Sequence, residues 1–232
     1  MSNELAKQAV SFDIWKTLIK SNPEYKPARD KHVAKQLGVE TGLVKTALRQ
    51  ADVVCDEKTD KTGIQLGGTE RLEAMCKILG APIARAALSE IADEIQELFL
   101  EYPLQLMEPE LLSTLDDIHP NRAIALTSNT GFFDGTYMRR ALDAVGIGER
   151  TDHYIFSNEV GVAKPDPKIF TEAAALLGVA PSAITHVGDN FVADYQGATR
   201  AGMQAVHLAP EPVETGIATT ETIKEAYEKG LL

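Results

Sequence analysis

Residues 9–18 read Ala9-Val10-Ser11-Phe12-Asp13-Ile14-Trp15-Lys16-Thr17-Leu18, an apolar run that ends at a carboxylate. The pattern predicts a short strand that delivers Asp13 to its carboxyl end, the edge at which open α/β sheets bind ligands. An Asp in that position can serve as a nucleophile and form an aspartyl-phosphate. Trp15, two residues later, carries no group that acts as a general acid or base. The stretch therefore predicts a nucleophile and also limits the proton transfers available to it.

Composition and charge narrow the classes of partner. The chain has 232 residues, enough for one large domain or for a core with a smaller second domain. Its 44% hydrophobic and 25% charged residues are ordinary for a soluble globular protein. A net charge of -11 argues against a nucleic-acid partner, which needs a basic face. A small anionic ligand stays compatible, because one lysine, a metal and backbone N–H groups can make a local positive pocket.

Two features of the sequence bear on location. Cys55 and Cys76 lie far apart without the spacing of metal ligands, which favours two reduced thiols. The segment Met1–Lys7 does not read as a signal peptide, and no run approaches the ~20 apolar residues that cross a bilayer. We expect a cytoplasmic protein without a membrane partner, and the sequence predicts no oligomeric state.

The periodicity of the apolar residues changes after the first strand. From about residue 26 to residue 100 they recur at helical spacing, interrupted by a polar loop at Lys58–Gly68. After Pro109, strands alternate with helices, which is typical of βαβ units and a parallel sheet. The predicted strands are 9–12, 123–126, 154–156, 184–187 and 204–208. We expect an α/β core of residues 1–21 and 107–232, interrupted by an all-helical domain of residues 22–106.

Two local predictions can be made within the core. Asp166 followed by Pro167 predicts the start of a helix, and Gly178 predicts its end. His186 lies inside an apolar strand and has no partner at ligand spacing. We expect it to be a hydrogen-bonded core residue.

Polar residues follow the predicted strands of the core at four places. Because the carboxyl ends of parallel strands meet at one edge of a sheet, we expect these residues to lie together. They are Asp13 and Thr17 after the first strand, Thr127-Ser128-Asn129 at the end of the second, Lys164 after the third, and Gly188-Asp189-Asn190 with Asp194 after the fourth.

The four motifs, in this order and with their Lys-Pro-x-Pro and Gly-Asp-x4-Asp forms, resemble those of the haloacid dehalogenase superfamily. The resemblance covers the whole chain, and the helical insertion after the first motif is similar to that superfamily's type 1 cap domain. It implies a Rossmann-like parallel sheet for the core. It also implies a hydrolase of the phosphatase-like branch that acts on a small phosphorylated substrate.

The resemblance implies roles in phosphate chemistry for five residues. Asp13 would attack phosphorus and become an aspartyl-phosphate. Thr17 and Ser128 would hydrogen-bond the phosphate oxygens, and Asn129 would shape the second loop of the same substrate site. Lys164 would offset the charges of nucleophile and substrate, which otherwise repel each other.

The resemblance also implies a Mg²⁺ site, because this hard cation prefers oxygen ligands. Asp13, Asp189 and the backbone carbonyl of Trp15 would bind the metal. Asp194 would bind it through water or would orient Lys164.

Trp15 departs from the superfamily's phosphatases, in which the second residue after the nucleophile is usually an Asp that protonates the leaving group. Loss of a general acid typically costs ~10²–10⁴ in rate, or roughly 3–5 kcal/mol. We expect a Mg²⁺-dependent phosphatase, and three alternatives stay open. They are a metal-independent 2-haloacid dehalogenase with Arg49 as halide ligand, a phosphonate hydrolase using Lys26, Lys58 or Lys61, and a catalytically impaired protein that binds a phosphate ligand.

Overall fold

The computed structural model describes residues 8–232. Its strands, in chain order, are β1 (Ala9–Phe12), β2 (Ile19–Lys20), β3 (Gln105–Leu106), β4 (Ala123–Ser128), β5 (His153–Phe156), β6 (Ile184–Gly188), β7 (Gln204–Leu208) and β8 (Thr219–Thr220). Six of them form a parallel sheet in the order β5-β4-β1-β6-β7-β8. The predicted α/β class and parallel sheet are confirmed.

The helices follow the same division of the chain. They are α1 (Tyr25–Leu37), α2 (Thr41–Thr62), α3 (Gly68–Leu79), α4 (Arg85–Leu100), α5 (Leu111–Ile118), α6 (Gly135–Ala144), α7 (Ser157–Val160), α8 (Pro167–Leu177), α9 (Gly197–Arg200) and α10 (Ile223–Glu228). A π-helical turn, Phe191–Gln196, precedes α9. Helices α1–α4 all lie between β2 and β3, where the sequence predicts a helical insertion.

A two-stranded antiparallel ribbon joins the insertion to the sheet. Strand β2 pairs with β3, with Ile19 opposite Leu106 and Lys20 opposite Gln105. The chain therefore leaves and re-enters the α/β part at neighbouring points. The ribbon is too short to be seen as alternation in the sequence, and it ends next to the expected boundaries after residues 21 and 106.

Helix α2 is longer than the sequence pattern suggests. Residues 58–62 of the predicted polar loop form its last turn, in which the Thr62 hydroxyl donates to the Lys58 carbonyl at 2.8 Å. The helix ends at Gly63, whose φ of 70° lies in the left-handed region that favours glycine. Polar side chains alone do not end a helix, so the connecting loop is only residues 63–67.

Strand β1 lies at the centre of the sheet and is buried along its whole length. It pairs with β4 on one side and with β6 on the other. Val10 and Phe12 belong to one apolar cluster and Ala9 to a second, as expected for side chains that alternate between two covered faces. This double burial explains the apolar run before Asp13.

The structure also bears on the predictions about the two cysteines and about a membrane span. Cys55 and Cys76 are both buried and form no disulfide. Within residues 8–232, the structure contains no helix with the length and apolar character needed to span a membrane. The prediction about Met1–Lys7 lies outside the described residues.

Candidate active site

The carboxyl end of the central strand fixes the position of Asp13. The Asp13 backbone N–H donates to the Val187 carbonyl of β6 at 2.9 Å, so the ladder continues one residue beyond β1. The side chain is 5% exposed and faces a cavity of about 340 Å³. Ser128, at the end of β4, and Asp189, after β6, line the same cavity. The predicted convergence of the strand ends at one edge is therefore observed.

Lys164 is the buried cation of the site. It is 3% exposed, and its Nζ donates to Asp13 Oδ1 at 2.6 Å, to Asp194 Oδ1 at 2.6 Å and to the Thr127 carbonyl at 2.9 Å. These contacts use all three ammonium donors. Burial lowers the pKa of Lys164, but the two carboxylates outweigh that effect and raise the pKa, so the ammonium is charged.

One lysine charge is shared by two buried carboxylates. Burial opposes ionisation of Asp194, yet Lys164 and His186 hold the pKa of its carboxyl well below its usual range. Burial raises the pKa of Asp13, and the nearby Asp194 charge raises it further against the opposing effect of Lys164. Burial and the charges of Asp13 and Asp194 also raise the pKa of the half-buried Asp189 to about 6. The cluster carries more negative charge than its lysine can balance.

The cluster has the donor set and spacing for a hard cation. Asp13, Asp189 and Asp194 each offer a carboxylate oxygen, and these oxygens lie within 4.8 Å of one another. In residues 8–232, the Asp189 carboxylate and the Trp15 carbonyl take part in no hydrogen bond. Both oxygens are therefore available to a cation such as Mg²⁺, which prefers such ligands.

Asp194 differs from the other two carboxylates because its oxygens are already engaged. Oδ1 contacts Lys164 Nζ and His186 Nε2, at 2.6 and 3.2 Å, and Oδ2 accepts from the Asn190 backbone N–H at 3.0 Å. The side chain is 1% exposed and lies on the π-helical turn. These contacts favour the second of its two predicted roles, which is to orient Lys164.

The turn after Asp13 positions two of the predicted residues. The Thr17 hydroxyl donates to Asp13 Oδ2 at 3.0 Å and accepts from the Asp189 N–H at 3.2 Å, which ties the first motif to the fourth. Lys16 has a φ of 62°, a left-handed conformation that costs a non-glycine residue roughly 1–3 kcal/mol. The Lys16 N–H donates to the Ile19 carbonyl at 2.7 Å and holds the turn closed.

Asn129 acts on the backbone of the lysine loop. Its Oδ1 accepts from the Lys164 N–H at 2.7 Å, and its Nδ2 donates to the Lys164 carbonyl at 3.0 Å. Both ends of the amide are thus occupied, as expected for a residue that shapes the loop. Ser128 is 2% exposed, and among the residues that the structure describes its hydroxyl makes only a long 3.4 Å contact with the Asn129 carbonyl.

His186 is fully buried and hydrogen-bonded, as the sequence predicts. Its Nδ1 lies 2.9 Å from Ser11 Oγ, and its Nε2 lies 3.2 Å from Asp194 Oδ1. Burial lowers the pKa of His186. The contact of His186 with Asp194 could not be predicted from the sequence. The contact with Ser11 follows from the register of the sheet, in which Ser11 lies beside His186 on the neighbouring strand.

The helical insertion contributes one wall of the site cavity. Asp56, Thr59 and Asp60 of α2, Gln65 of the following loop, and Arg71 of α3 line it. None of them could be identified from the sequence, because α2 carries polar residues on several faces, and each of those faces could be the one exposed to solvent. Of the residues considered for the alternative chemistries, Arg49, Lys58 and Lys61 do not line this cavity. Lys26 lines an adjoining cavity.

Comparison with known proteins places these observations in a family. A family model described as "Hydrolase: haloacid dehalogenase-like hydrolase" matches residues 7–202. The mouse haloacid dehalogenase-like hydrolase domain-containing protein 3 is 29% identical over 226 residues, which cover 94% of this chain and 88% of the relative. The phosphoserine phosphatase of Thermus thermophilus is 35% identical over 162 residues, 63% of each chain.

Solved structures share the whole fold. The haloacid dehalogenase-type phosphatase of Thermococcus onnurineus superposes with a TM-score of 0.69 at 22% identity, covering 97% of each chain. Solved 2-haloacid dehalogenases share the fold as well, so the fold alone does not distinguish the two chemistries. On the family match, this chain belongs to the haloacid dehalogenase-like hydrolases and is an enzyme of that family.

Proposed function

We propose that the protein is a Mg²⁺-dependent phosphatase that acts on a small phosphorylated substrate through an aspartyl-phosphate on Asp13. The observation that carries the proposal is the buried contact of Lys164 with both Asp13 and Asp194, beside the free carboxylate of Asp189. Relatives named phosphoserine phosphatase and glyceraldehyde 3-phosphate phosphatase support a small phosphorylated substrate.

Asp13 is the proposed nucleophile. One of its oxygens forms a bond to phosphorus while the ester P–O bond breaks, and water later hydrolyses the aspartyl-phosphate. Lys164 offsets the charge that builds up between the two anions, in a site where water screens little. Ser128 is the proposed hydroxyl donor for phosphate oxygens, Thr17 joins it when its O–H turns from Asp13 to the phosphate, and Asn129 keeps the Lys164 loop in place for the same substrate.

Asp13, Asp189 and the Trp15 carbonyl are the proposed ligands of Mg²⁺, which when bound neutralises charge on the transferring phosphoryl group. Their oxygens are of the type this ion prefers. Asp194 is the third acidic residue of the cluster. Its oxygens already accept hydrogen bonds, and its proposed role is to orient Lys164. Residues 22–106 are the proposed cap domain, since α2 and α3 wall the site cavity. A cytoplasmic location stays a prediction.

The test is phosphate release from a panel of phosphorylated metabolites, with Mg²⁺ and with EDTA in its place. We expect release only with Mg²⁺, and loss of at least 10³-fold in Asp13→Asn. Asp60→Asn is the matched control, because Asp60 is an exposed carboxylate in the wall of the same cavity. Equal rates for Asp13→Asn and the parent would contradict the mechanism.

The same assay addresses the non-catalytic alternative, which Trp15 motivates. A protein that only binds a phosphate ligand shows metal-dependent binding with no turnover. Turnover that disappears in Asp13→Asn rejects that alternative. Halide release from 2-chloropropionate in EDTA would instead assign a dehalogenase.

A further inference from the structure

We propose that the substrate's leaving group is an aromatic alcohol that carries a second anionic group, held in a cavity beside the site of Asp13. This inference rests on the proposed phosphatase function and names its substrate class. It accounts for the Trp15 indole ring, which has no role in the phosphatase mechanism proposed above, where only the Trp15 backbone carbonyl takes part.

A second cavity of about 440 Å³ adjoins the one that contains Asp13. The two cavities share six wall residues, so a ligand whose phosphate lies at Asp13 can extend into the second space. The six are Trp15, Lys16, Asp56, Arg71, Asn129 and Gly131. We call this second space the aromatic cavity. Its aromatic lining consists of Trp15, Tyr25, Phe132 and Phe133.

The aromatic lining is held in place by its own packing. Phe133 stacks on Phe99 with ring centroids 3.9 Å apart, and Trp15 and Tyr25 lie 6.0 and 5.6 Å from Phe133. Aromatic pairs at these distances stabilise one another beyond simple burial. A wall of fixed rings favours a flat, apolar ligand, because little side-chain entropy is lost when one binds.

Tyr25 contributes its ring to the wall of the aromatic cavity, while its hydroxyl is buried. Tyr25 is 2% exposed, and its hydroxyl has no hydrogen-bond partner in the part of the chain that the structure describes. An unsatisfied buried hydroxyl costs about 1–3 kcal/mol. The hydroxyl oxygen itself is closed off from the aromatic cavity, so this cost belongs to the packing of the rings and not to the binding of a ligand.

Charge around the aromatic cavity favours an anion. Lys16, Lys20 and Lys26 line it, all three are exposed, and none forms an ion pair within residues 8–232. The acidic residues in the lining, Asp52 and Asp56, are both bonded by the buried Arg71 guanidinium, at 2.9 and 2.6 Å. Arg29, also in the lining, pairs with Asp30. Arg71 balances only one of its two aspartates, so the groups around this cavity keep a net excess of two positive charges, which in a chain of net charge -11 favours a carboxylate or a second phosphate there.

The missing general acid also favours an aromatic alcohol as the leaving group. The alcohol leaves as its anion when no side chain protonates it. A phenol resembles tyrosine, with a pKa of about 10, whereas a hydroxyl such as that of water has a pKa of about 15.7. An aromatic alcohol is therefore the better leaving group at a site with tryptophan in place of the acid.

The reaction balances without another reagent. An oxygen of Asp13 bonds to phosphorus, and the electron pair of the broken ester P–O bond goes to the phenolate oxygen, which takes a proton from solvent. Water then attacks phosphorus, the Asp13 carboxylate is restored, and the water's proton passes to solvent. One water is consumed for each phenol and inorganic phosphate released.

The test compares kcat/KM for 4-carboxyphenyl phosphate, phenyl phosphate and O-phosphoserine at saturating Mg²⁺. We expect the order carboxyphenyl, then phenyl, then serine, with steps of 10-fold or more. Lys26→Met should reduce the preference for carboxyphenyl over phenyl phosphate at least 3-fold, through KM. Lys35→Met, on the same helix and outside both cavities, should leave the preference unchanged.

A second variant checks the aromatic wall. Phe132→Leu removes one ring from the lining of the aromatic cavity, so we expect the preference for phenyl phosphate over O-phosphoserine to fall at least 3-fold, and an unchanged preference would contradict the aromatic lining. Mg²⁺-dependent release that is as fast from O-phosphoserine as from the aryl esters overturns this inference and leaves the phosphatase function standing. An equal effect of Lys26→Met on both aryl esters overturns the anion subsite. Release from no ester of either kind overturns the inference and the proposed function together.

Discussion

Replacing Trp15 by Asp is the most informative perturbation of this site. The new carboxyl group would stand two residues after the nucleophile, in the wall that the two cavities share. A positioned general acid contributes ~10²–10⁴ in rate when the leaving group needs a proton. We therefore expect kcat/KM for O-phosphoserine to rise by about that factor, and for phenyl phosphate by less than 10-fold.

The same substitution has a structural cost. Trp15 is half-buried, with its ring 6.2 Å from Phe99 and 6.0 Å from Phe133. Truncation of a fully buried aromatic costs about 3–5 kcal/mol, so roughly half of that is expected here. For a chain of this length, 1 kcal/mol shifts Tm by ~2–4 °C, which predicts a fall of about 3–10 °C. The assay therefore belongs at 25 °C, where a protein with such a loss remains folded.

Trp15→Asn is the matched control, because it removes the same ring and adds a side chain of the same size that cannot transfer a proton. The rate on O-phosphoserine should rise in the Asp variant and not in the Asn variant. If both variants gain equally, the gain comes from space in the cavity. The reasoning about a missing acid would then be refuted.

Three further substitutions test other parts of the site. Asp189→Asn should raise the Mg²⁺ concentration needed for half-maximal activity at least 10-fold, whereas Asp60→Asn should not; a metal titration of phosphate release measures both. Gly188→Ala places a Cβ 2.3 Å from the Asp194 Cγ, so it should lower activity at least 10-fold and stability by about 1–3 kcal/mol in urea unfolding. Asn129→Ala removes both hydrogen bonds to the lysine loop and should lower the free energy of unfolding by about 1–3 kcal/mol and also lower kcat. An unchanged kcat would show that these two hydrogen bonds are not needed to position the loop.

Much of the fold could be read from local signals. Helix α8 begins after Asp166, whose carboxylate accepts from the Lys168 N–H at 2.8 Å, and ends at Gly178 with a φ of 68°, as predicted. The apolar run before Asp13 became the central strand. A cap can be predicted because it depends on neighbours in sequence, and a central strand because burial of both its faces requires an unbroken apolar run.

The contacts that complete the site could not be predicted this way. The Tyr25 hydroxyl, the Arg71 ion pairs and the bond between His186 and Asp194 all depend on how distant elements pack. Helix α2 offers polar residues on several faces, and only its docking selects Thr59 for the cavity. The four motifs predicted which residues converge at the strand ends, whereas the residues that the helical insertion adds to the cavity wall could not be predicted.

The insertion also has a consequence for the order of folding. Ser11 of the central strand bonds with Thr127, 116 residues later, and with His186, 175 residues later. Helices α1–α4 pack mostly on one another, although α4 also contacts α6, whereas β1 must wait for both neighbours, and contacts so distant in sequence form slowly. During synthesis the helical insertion would emerge and fold first, leaving the strand that ends at Asp13 unpaired until β4 appears and paired on one side only until β6 follows. Pulse-labelling hydrogen exchange should find the amides of α2 and α3 protected before those of β1.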